Sequence, residues 1–428
     1  MVFPYKRVTI IGLGKSGIAV AKLLARNGYQ VKITEANDQP ALRLQAEEMQ
    51  KIDISVELGS HRENFYSDAE WIVPCPGVKP NAAPLQWAKQ RKIPIYSEME
   101  IAYRFTPCPI VGITGTNGKT TTTTLVGEIL KNGGRQVAVG GNIGTPLSAF
   151  VDRLTPRHWV VLEVSSFQLE YIKEFHPKIA VLLNFTTNHL DHHQNINEYF
   201  AMKNRITECQ REDDWLVLNA NDPWSEKVAQ RSRAHVLFFN NKEDQEYVND
   251  NYKAAVSITQ ILGISKTIID QTLRDFKGIE HRLEEVMVLE GIRFINDSKS
   301  TSVASLQWAL RSIPAPIHLI VGGRDKGGDF GELNPLIQEK VRRVLLIGEA
   351  AEKLRKTWQE SGVPLETAVS LKEAVMLAHQ GAEAGVSVLL SPGCASFDMF
   401  ENYEDRGWQF KAIVHQLAKE IAVHAGRK

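Results

Sequence analysis

Residues 111–120 combine an apolar run, a glycine-rich turn and a lysine followed by threonine. Gly115 and Gly118 would allow a tight turn that points backbone N–H groups inward. Lys119 would supply a mobile positive charge for β- and γ-phosphates, and the Thr120 hydroxyl is a suitable Mg²⁺ ligand. The pattern predicts a phosphate-binding loop. The alternative is a glycine-rich turn between a strand and a helix that binds no ligand.

The helix predicted after this loop, from about Thr120 to Asn132, would direct its positive end at a bound anion. Leu125 and Ile129 belong to the apolar face that would anchor it. The loop departs from its common form at one position, because Ile113 stands where a glycine is usual.

Two further side chains follow predicted strands of the same sheet. Glu163 ends the apolar run 159–162, where a carboxylate beside a phosphate loop commonly holds Mg²⁺. The alternative is a solvated acid at a strand end. His189 follows the apolar run 179–183, at the strand end where open α/β sheets bind ligands. We interpret His189 as a metal ligand, and the alternative is a structural histidine.

Lys203 lies on the apolar stripe of a predicted helix from about Asn195 to Cys209, between Phe200 and Ile206. Lysine is almost never buried without a partner. Burial lowers the pKa of the ammonium and makes the neutral, nucleophilic amine accessible. The alternative is a lysine at the edge of the stripe whose charged end reaches solvent. Periodicity alone does not decide between the two.

Three polar turns follow apolar strands in the last third of the chain, at 296–301, 322–327 and 391–398. Because they follow strands of one predicted sheet, we expect them to cluster at one edge. They carry Ser298, Lys299, Thr301, Arg324, Lys326, Ser391 and Ser396. Such a cluster suits a substrate with several carboxylates or phosphates. The alternative is three capped helix starts with solvated charges.

The amino-terminal region reads as a strand, a glycine turn at Gly12–Gly17, a helix and a second strand that ends in Glu35. This spacing is typical of a turn that binds a nucleotide pyrophosphate, with the acidic residue near a ribose. The motif alone is weakly specific, because NAD and UDP-sugars present the same pyrophosphate.

Composition limits the class of protein. Of the 428 residues 43% are hydrophobic and 23% charged, and 50 basic residues balance 50 acidic ones, so we expect soluble globular domains and no nucleic-acid partner. Four scattered cysteines indicate reduced thiols. No apolar run approaches the ~20 residues of a membrane span. Residues 1–5 run directly into a predicted strand, so we expect no signal peptide and a cytoplasmic location.

Strands that alternate with helices predict an α/β fold with parallel sheets. We expect three domains. They are a Rossmann-like domain at 1–97, a central P-loop ATPase-type domain with a parallel sheet at 98–277 and a second Rossmann-like domain at 278–428. Ile93–Tyr96 is predicted as a further strand of the first domain.

Together these motifs resemble the Mur ligases over nearly the whole chain. The matching segments are Gly115–Thr120, Gly140–Gly144, Glu163–Gln168, Asn188–His189, His281–Arg282 and Asn296–Lys299. The Gly12–Gly17 turn, the run Ser165–Gln168 and the segment Ser391–Ser396 favour the member that adds D-glutamate.

The resemblance implies an ATP-dependent, amide-bond-forming ligase of peptidoglycan precursor biosynthesis. It would join D-glutamate to UDP-N-acetylmuramoyl-L-alanine through an acyl phosphate, as a monomer. It implies ATP, two Mg²⁺ sites and a CO₂-derived carbamate on Lys203. The implied catalytic residues are Lys119, Glu163, His189 and Lys203, and the implied metal ligands are Thr120, Glu163, His189 and the carbamate of Lys203.

The resemblance also implies the binding residues. ATP would contact Gly115, Thr116, Asn117, Gly118, Lys119, Thr120, Thr121 and Arg282, with Asn251 at the adenine and Asp297 at the ribose. The uridine nucleotide would contact Leu13, Lys15, Ser16, Glu35, Asn37, Pro76 and Gly77, and Asn142 would contact substrate near the phosphate loop. D-Glutamate would contact Lys299, Thr301, Lys326, Ser396, Phe397 and Tyr403.

The chain departs from the family's pattern in the central domain. The stretch 219–251 is shorter than is usual, and the segment Tyr247–Asn251 replaces the His-Asn-x-x-Asn pattern, so Asn251 is the least supported contact. Three other functions stay open. They are an NAD-dependent oxidoreductase built on the Gly12–Gly17 turn, a nucleotide-binding relative without turnover, and a ligase for another amino acid or a folate acceptor.

Overall fold

The structure is a computed structural model that describes residues 3–186, 195–241, 247, 249–325 and 327–425, with side chains as far as residue 422. The chain divides into two compact units, Met1–Phe276 and Lys277–Lys428. Each unit is described by itself.

The first unit begins with a parallel sheet. Its strands are β1 (Arg7–Ile11), β2 (Gln30–Glu35), β3 (Ser55–Leu58) and β4 (Trp71–Pro74). The helices that accompany it are α1 (Lys15–Arg26), α2 (Pro40–Gln50), α3 (Glu63–Tyr66), α4 (Ala83–Gln90) and α5 (Glu98–Phe105). The strand order is β3-β2-β1-β4. Val8, Ile10 and Ile11 are buried, as expected for a parallel strand covered by helices on both faces.

The same unit contains a second parallel sheet, in the order β10-β9-β8-β5-β7-β6. These strands are β5 (Ile110–Thr114), β6 (Gln136–Gly141), β7 (His158–Glu163), β8 (Ile179–Leu182), β9 (Trp215–Asn219) and β10 (His235–Phe239). Its helices are α6 (Lys119–Asn132), α7 (Ser166–Leu169), α8 (Ile196–Asn204), α9 (Ser225–Ala229), α10 (Asp250–Ile261) and α11 (Lys266–Asp275). Short 3₁₀ turns lie at Leu147–Ala149, Val151–Arg153 and Arg205–Thr207.

The central sheet positions the predicted phosphate loop. β5 is buried along its whole length, and α6 follows it after four residues and packs Leu125 and Ile129 into the core. α8 is shorter than predicted. It ends at Asn204 because the Thr207 hydroxyl donates a hydrogen bond to the Asn204 carbonyl and the chain tightens into a 3₁₀ turn.

The second unit contains one mixed sheet, in the order β11-β12-β16-β13-β14-β15. Its strands are β11 (Glu284–Leu289), β12 (Ile292–Asn296), β13 (Ile317–Gly322), β14 (Val341–Ile347), β15 (Leu365–Thr367) and β16 (Ser387–Leu390). The helices are α12 (Val303–Ser312), α13 (Asn334–Lys340), α14 (Ala351–Trp358), α15 (Leu371–Gln380) and α16 (Tyr403–Ala425), with a 3₁₀ turn at Phe330–Leu333.

The structure confirms the α/β fold class and corrects two details. The segment Ile93–Tyr96 is not a strand, because Pro94 has no N–H to donate and only Ile95 forms a bridge, to Ile72. The sheet of the second unit is not wholly parallel. β11 and β12 form an antiparallel hairpin at its edge, joined by the turn at Glu290 and Gly291.

Candidate active site

The phosphate loop connects β5 to α6. Gly118 has φ 82°, and a Cβ atom there would lie 2.1 Å from the Asn251 amide oxygen. Both the left-handed conformation and the close approach therefore require glycine at this position. α6 begins at the next residue, so its first backbone N–H groups and its positive end face the loop.

Asn184, which the sequence interpretation missed, pins the phosphate loop. The Asn117 N–H donates to the Asn184 side-chain oxygen at 2.8 Å, and the Asn184 amide donates back to the Asn117 carbonyl at 3.1 Å. The Thr116 hydroxyl donates to the Thr186 carbonyl. The Lys119 ammonium lies against the loop, 2.9 Å from both the Gly115 and Thr116 carbonyl oxygens.

Glu163 lies at the end of β7, beside the phosphate loop, and is almost fully buried. Its two carboxylate oxygens accept from the Thr120 hydroxyl and from the Asn142 amide, each at 2.7 Å. The Asn142 backbone N–H also donates to the Glu163 carbonyl at 2.9 Å. The structure therefore joins three of the predicted site residues in one network, and Glu163 is not a solvated strand-end acid.

The Thr120 and Glu163 pair fits Mg²⁺ chemically, because this ion prefers oxygen ligands and is bound by one or two carboxylates plus phosphate oxygens. Within the described part of the chain, Glu163 belongs to no group of three or more histidine, cysteine, aspartate or glutamate side chains that could hold a metal ion. His189 lies outside the described residues, so its predicted metal contact stays a prediction. Thr121 lies in the first turn of α6.

Lys203 lies on α8 with its side chain 3% exposed, so the alternative of a solvent-reaching lysine is wrong. Its ammonium nitrogen donates to the Gly115 carbonyl at 2.9 Å and lies 4.7 Å from the centre of the Tyr199 ring. Burial lowers the pKa of Lys203 well below its usual value, and the charge of Lys119 lowers it further, whereas Glu163 raises it. Burial therefore favours the neutral form of this amine beside the phosphate loop.

The Gly12–Gly17 turn is organised by Glu35 at the end of β2. One carboxylate oxygen accepts from the Leu13 N–H at 3.0 Å, and the other accepts from the backbone and side chain of Asn37, both at 2.9 Å. The Leu13 side chain is fully buried in the core, so this predicted contact residue can offer a ligand only its backbone.

A cavity of about 180 Å³ extends from this turn to Asn142 within the first unit. Its lining residues are Gly14, Lys15, Ser16, Cys75, Pro76, Gly141, Asn142, Gly144, Pro146 and Gln168. Gly77 follows with φ 93° in the loop after β4. The cavity thus brings predicted uridine-site residues to the side chain that binds Glu163.

Asn251, the predicted adenine contact, lies in the first turn of α10. Its side-chain oxygen is 3.4 Å from the Thr122 hydroxyl and packs directly on Gly118. Asn251 therefore abuts the phosphate loop itself. The adenine contact stays a prediction.

In the second unit, the three polar turns follow β12, β13 and β16, which are adjacent in the sheet. The expected cluster at one sheet edge is therefore present. Arg324 is not an unpaired cation, because it forms a two-pronged ion pair with Glu349 at 2.9 and 3.0 Å. Lys326 lies outside the described residues.

Asp297, the predicted ribose contact, is 1% exposed. Its oxygens accept from the Leu283 N–H at 3.2 Å and the Ser391 hydroxyl at 2.8 Å. Burial raises the pKa of Asp297 to about 6, against the lowering effect of Arg282. The Arg282 guanidinium lies 5.3 Å from the centre of the Trp308 ring.

The predicted D-glutamate residues surround the turn after β12. The Lys299 ammonium is 6.0 Å from the centre of the Tyr403 ring, and the Lys299 backbone N–H donates to the His281 carbonyl. Thr301 is half-buried in the same turn. In the turn after β16, Ser396 is buried and Phe397 is 62% exposed.

Sequence interpretation also missed Arg406, on the first turn of α16. Its side chain is fully buried and donates to the Ser298 hydroxyl and carbonyl at 2.9 and 2.8 Å and to the Cys394 carbonyl at 3.3 Å. Burial lowers its pKa to about 10. Arg406 thus links the turns that carry Lys299 and Ser396. The sequence around Arg406 contains no motif that distinguishes it from an arginine on an exposed helix surface.

Three family models match the chain. The Mur ligase MurD-like N-terminal domain matches residues 6–97, the Mur ligase middle domain matches 113–274 and the Mur ligase glutamate ligase domain matches 281–394. Among curated proteins, the UDP-N-acetylmuramoylalanine–D-glutamate ligase of Caldanaerobacter subterraneus is 41% identical and that of Koribacter versatilis 39%. The alignments cover 97% of this chain and 99% and 98% of those proteins.

Solved structures agree on the fold. The UDP-N-acetylmuramate–alanine ligase of Thermotoga maritima superposes with a TM-score of 0.58 at 16% identity, covering 96% of this chain and 99% of that one. A pseudomurein peptide ligase type C of Methanothermus fervidus gives 0.55 at 20% identity, covering 96% and 100%. At such identities the likeness concerns the fold alone. No helix in the described ranges is long and apolar enough to cross a membrane.

Proposed function

This chain belongs to the Mur ligase family, and from that premise we propose that it joins D-glutamate to UDP-N-acetylmuramoyl-L-alanine with conversion of ATP to ADP and phosphate. Relatives that are 39–41% identical over 97% of the chain carry the name of this ligase, which supports the choice of substrates. The structural observation that carries the proposal is the network of Thr120, Glu163 and Asn142.

Asn142 lies between the proposed sites of ATP and of the UDP-linked substrate. On one side it binds Glu163 beside the phosphate loop, and on the other it lines the cavity that begins at Lys15 and Ser16. A UDP-linked substrate held at the glycine turn would therefore extend its far end toward the γ-phosphate of ATP. An NAD-dependent oxidoreductase does not need a cavity that leads from the glycine turn to the phosphate loop. A folate acceptor, in turn, would leave the pyrophosphate turn without a ligand.

The proposed reaction activates a carboxylate. The L-alanyl carboxylate attacks the γ-phosphorus of ATP, giving an acyl phosphate and ADP. The amine of D-glutamate then attacks the acyl carbon, the tetrahedral intermediate loses phosphate, and the amine proton passes to solvent. Lys119 offsets the charge on the transferring phosphoryl group. Backbone N–H groups at the start of α6 hold the phosphates.

Mg²⁺ bound to the nucleotide would supply charge neutralisation for phosphoryl transfer. Thr120 and Glu163 would hold one ion. His189 and a carbamate on Lys203 would hold a second. The carbamate is supported by the burial of Lys203, which lowers the pKa of its amine and so favours the neutral form that reacts with CO₂. A metal ion would then offset the charge of the product.

We assign the uridine nucleotide to residues 1–97, the phosphates and adenine of ATP to 98–277, and the ATP ribose and D-glutamate to 278–428. The ATP ribose and adenine would meet Asp297, Arg282 and Asn251, and D-glutamate would meet Lys299, Thr301, Lys326, Ser396, Phe397 and Tyr403. We further propose that the enzyme acts as a monomer in the cytoplasm. A single species of about 48 kDa in sedimentation equilibrium tests the oligomeric state.

Oxygen transfer tests the proposed mechanism. UDP-N-acetylmuramoyl-L-alanine labelled with ¹⁸O in the alanyl carboxylate should pass one labelled oxygen to each phosphate released, because the attacking oxygen leaves with phosphorus. Phosphorus NMR resolves labelled from unlabelled phosphate. Phosphate without label, formed together with the amide, would contradict an acyl phosphate.

A further inference from the structure

The guanidinium of Arg282, a proposed nucleotide contact, has no acidic partner. Within the ranges that the structure describes, it forms no ion pair and no hydrogen bond, although the side chain is half-buried. Arginine side chains that leave solvent usually pair with carboxylates or phosphates, or donate to carbonyl oxygens. The charge of Arg282 is therefore available to an anionic ligand.

The contact that the structure gives this guanidinium is the aromatic ring of Trp308. The central carbon of the Arg282 guanidinium lies 5.3 Å from the ring centre, within the range of a cation–π interaction. Trp308 lies on the outer side of α12 and is 37% exposed, whereas Leu306 and Leu310 of the same helix are buried in the core. Unlike an ion pair, a ring contact holds the guanidinium without neutralising its charge.

The backbone on both sides of Arg282 has an unusual conformation. His281 has φ 63° and Leu283 has φ 44°, in the left-handed region that is unfavourable for residues other than glycine. Hydrogen bonds maintain this backbone. The Arg282 N–H donates to the Ile279 carbonyl at 3.0 Å, and the Leu283 N–H donates to the Asp297 carboxylate at 3.2 Å. The backbone therefore fixes where the arginine side chain starts, but not where its guanidinium lies.

We propose that Trp308 is a positioning residue that holds the Arg282 guanidinium for a phosphate group of the nucleotide. The inference rests on the proposed function, which supplies ATP as the ligand, and adds the residue that directs Arg282. The neighbouring Leu283 binds Asp297, the proposed ribose contact, so both proposed contacts belong to one hydrogen-bonded segment.

Preorganisation is the physical basis of this role. An arginine side chain without partners samples many rotamers, and binding a phosphate restricts them at a cost in entropy. The Trp308 ring restricts the guanidinium of Arg282 before ATP binds, which removes part of that cost. Loss of the ring should therefore weaken nucleotide binding, although the ring itself need not touch the nucleotide.

Four variants separate the ring from the helix that carries it. Trp308→Leu removes the aromatic face, and Trp308→Gln is a second variant without a ring in case the first does not fold. Trp308→Phe retains an aromatic face and should restore the function. Gln307→Leu is the matched control, because it places the same leucine one position earlier on α12.

The experiment measures the KM for ATP in the ADP-release assay and the Kd of a non-hydrolysable ATP analogue by calorimetry. Trp308→Leu should raise both by about fivefold, which corresponds to about 1 kcal/mol and to one cation–π contact. The kcat at saturating ATP and the KM for D-glutamate should stay unchanged, because only binding of the nucleotide is weakened. Trp308→Phe and Gln307→Leu should resemble the unaltered enzyme, and thermal unfolding checks that each variant is folded.

A double-mutant cycle tests whether Trp308 acts through Arg282. Arg282→Met removes the charge, so adding Trp308→Leu to this variant should cause no further loss of analogue binding. A further fivefold loss in the double variant would overturn the inference, because the ring would then act on something other than the guanidinium. Unchanged analogue binding in both folded ring-free variants would also overturn it.

Failure of the proposed function has a different signature. An unaltered enzyme that binds the ATP analogue but releases no ADP in response to D-glutamate would exclude the ligase function. The role of Trp308 would still be decided by calorimetry, since analogue binding requires no turnover.

Discussion

The Thr120 hydroxyl donates a 2.7 Å hydrogen bond to the Glu163 carboxylate across 43 residues of sequence. Thr120 is the second residue of α6 and Glu163 ends β7, so the contact fixes the helix start after the phosphate loop against the neighbouring strand. Both are oxygen donors suited to Mg²⁺, so this hydrogen bond places the two proposed ligands of one ion side by side.

Removal of the Thr120 hydroxyl should weaken Mg²⁺ binding. In Thr120→Val the shape is kept and one oxygen ligand is lost, so the Mg²⁺ concentration for half-maximal ADP release should rise by about tenfold or more. Thr120→Ser should retain the ligand. Thr124→Val on the same helix is the control, and an unchanged Mg²⁺ dependence in Thr120→Val would argue against the assignment.

Lys119→Ala should remove a charge that acts in the transition state. We expect kcat to fall on the order of 10²-fold or more with the fold retained. Circular dichroism checks the fold, and the coupled ADP assay measures kcat. Near-normal ADP release would exclude the assigned role of Lys119.

Lys203→Arg should be inactive, since a guanidinium stays charged and forms no carbamate. Activity of the unaltered enzyme should fall when CO₂ and bicarbonate are stripped and return when they are restored. Lys178→Arg, a substitution of the same kind at a lysine paired with Asp213, should behave like the unaltered enzyme. A fully active Lys203→Arg would rule the carbamate out.

Asp297 predicts a pH dependence of stability. Its pKa in the folded state, about 6, lies above the ordinary 3.8. The folded protein therefore binds the proton more tightly than the unfolded chain does, and protonation stabilises the fold. Relative to low pH, stability is lost as pH rises from about 4 through about 6, by up to about 3 kcal/mol. Asp297→Asn mimics the neutral form, so its free energy of unfolding, measured with urea, should not fall over this pH range. Parallel pH curves for both proteins would contradict the shift.

Lys326→Ala should raise the KM for D-glutamate by roughly tenfold, as loss of one charge-assisted hydrogen bond worth ~1.5–3 kcal/mol would. The KM for ATP should change little. Lys356→Ala on α14, where the lysine is exposed and weakly paired with Glu352, is the control for loss of a positive charge. If both substitutions change the KM for D-glutamate equally, Lys326 has no specific role.

The sequence predicts those features of the site that are encoded by local patterns of residues. The loop at Gly115–Thr120, the acid at Glu163 and the amphipathic position of Lys203 are readable because each depends on residues close to it in the chain. Whether Lys203 is buried depends on packing against the Gly115 carbonyl, 88 residues away. Periodicity therefore left two alternatives, and only the tertiary structure separates them.

Other parts of the site depend on long-range contacts without a local signal. Asn184 pins a loop that lies 67 residues earlier in the chain, and Arg406 is buried by turns that arrive from two other strands. The hairpin of β11 and β12 was not predicted, because β11 is a partly exposed edge strand that begins with two glutamates and lacks the long apolar run of the buried strands. An asparagine directly after a predicted strand is a sequence signal that could have identified Asn184.

The most direct test is ADP release with ATP, Mg²⁺ and UDP-N-acetylmuramoyl-L-alanine across a panel of D- and L-amino acids. We expect strong stimulation by D-glutamate, little by glycine, which lacks the side-chain carboxylate, and no tight binding of NAD by calorimetry. ADP release that does not respond to D-glutamate, or tight NAD binding, would exclude the proposed ligase function.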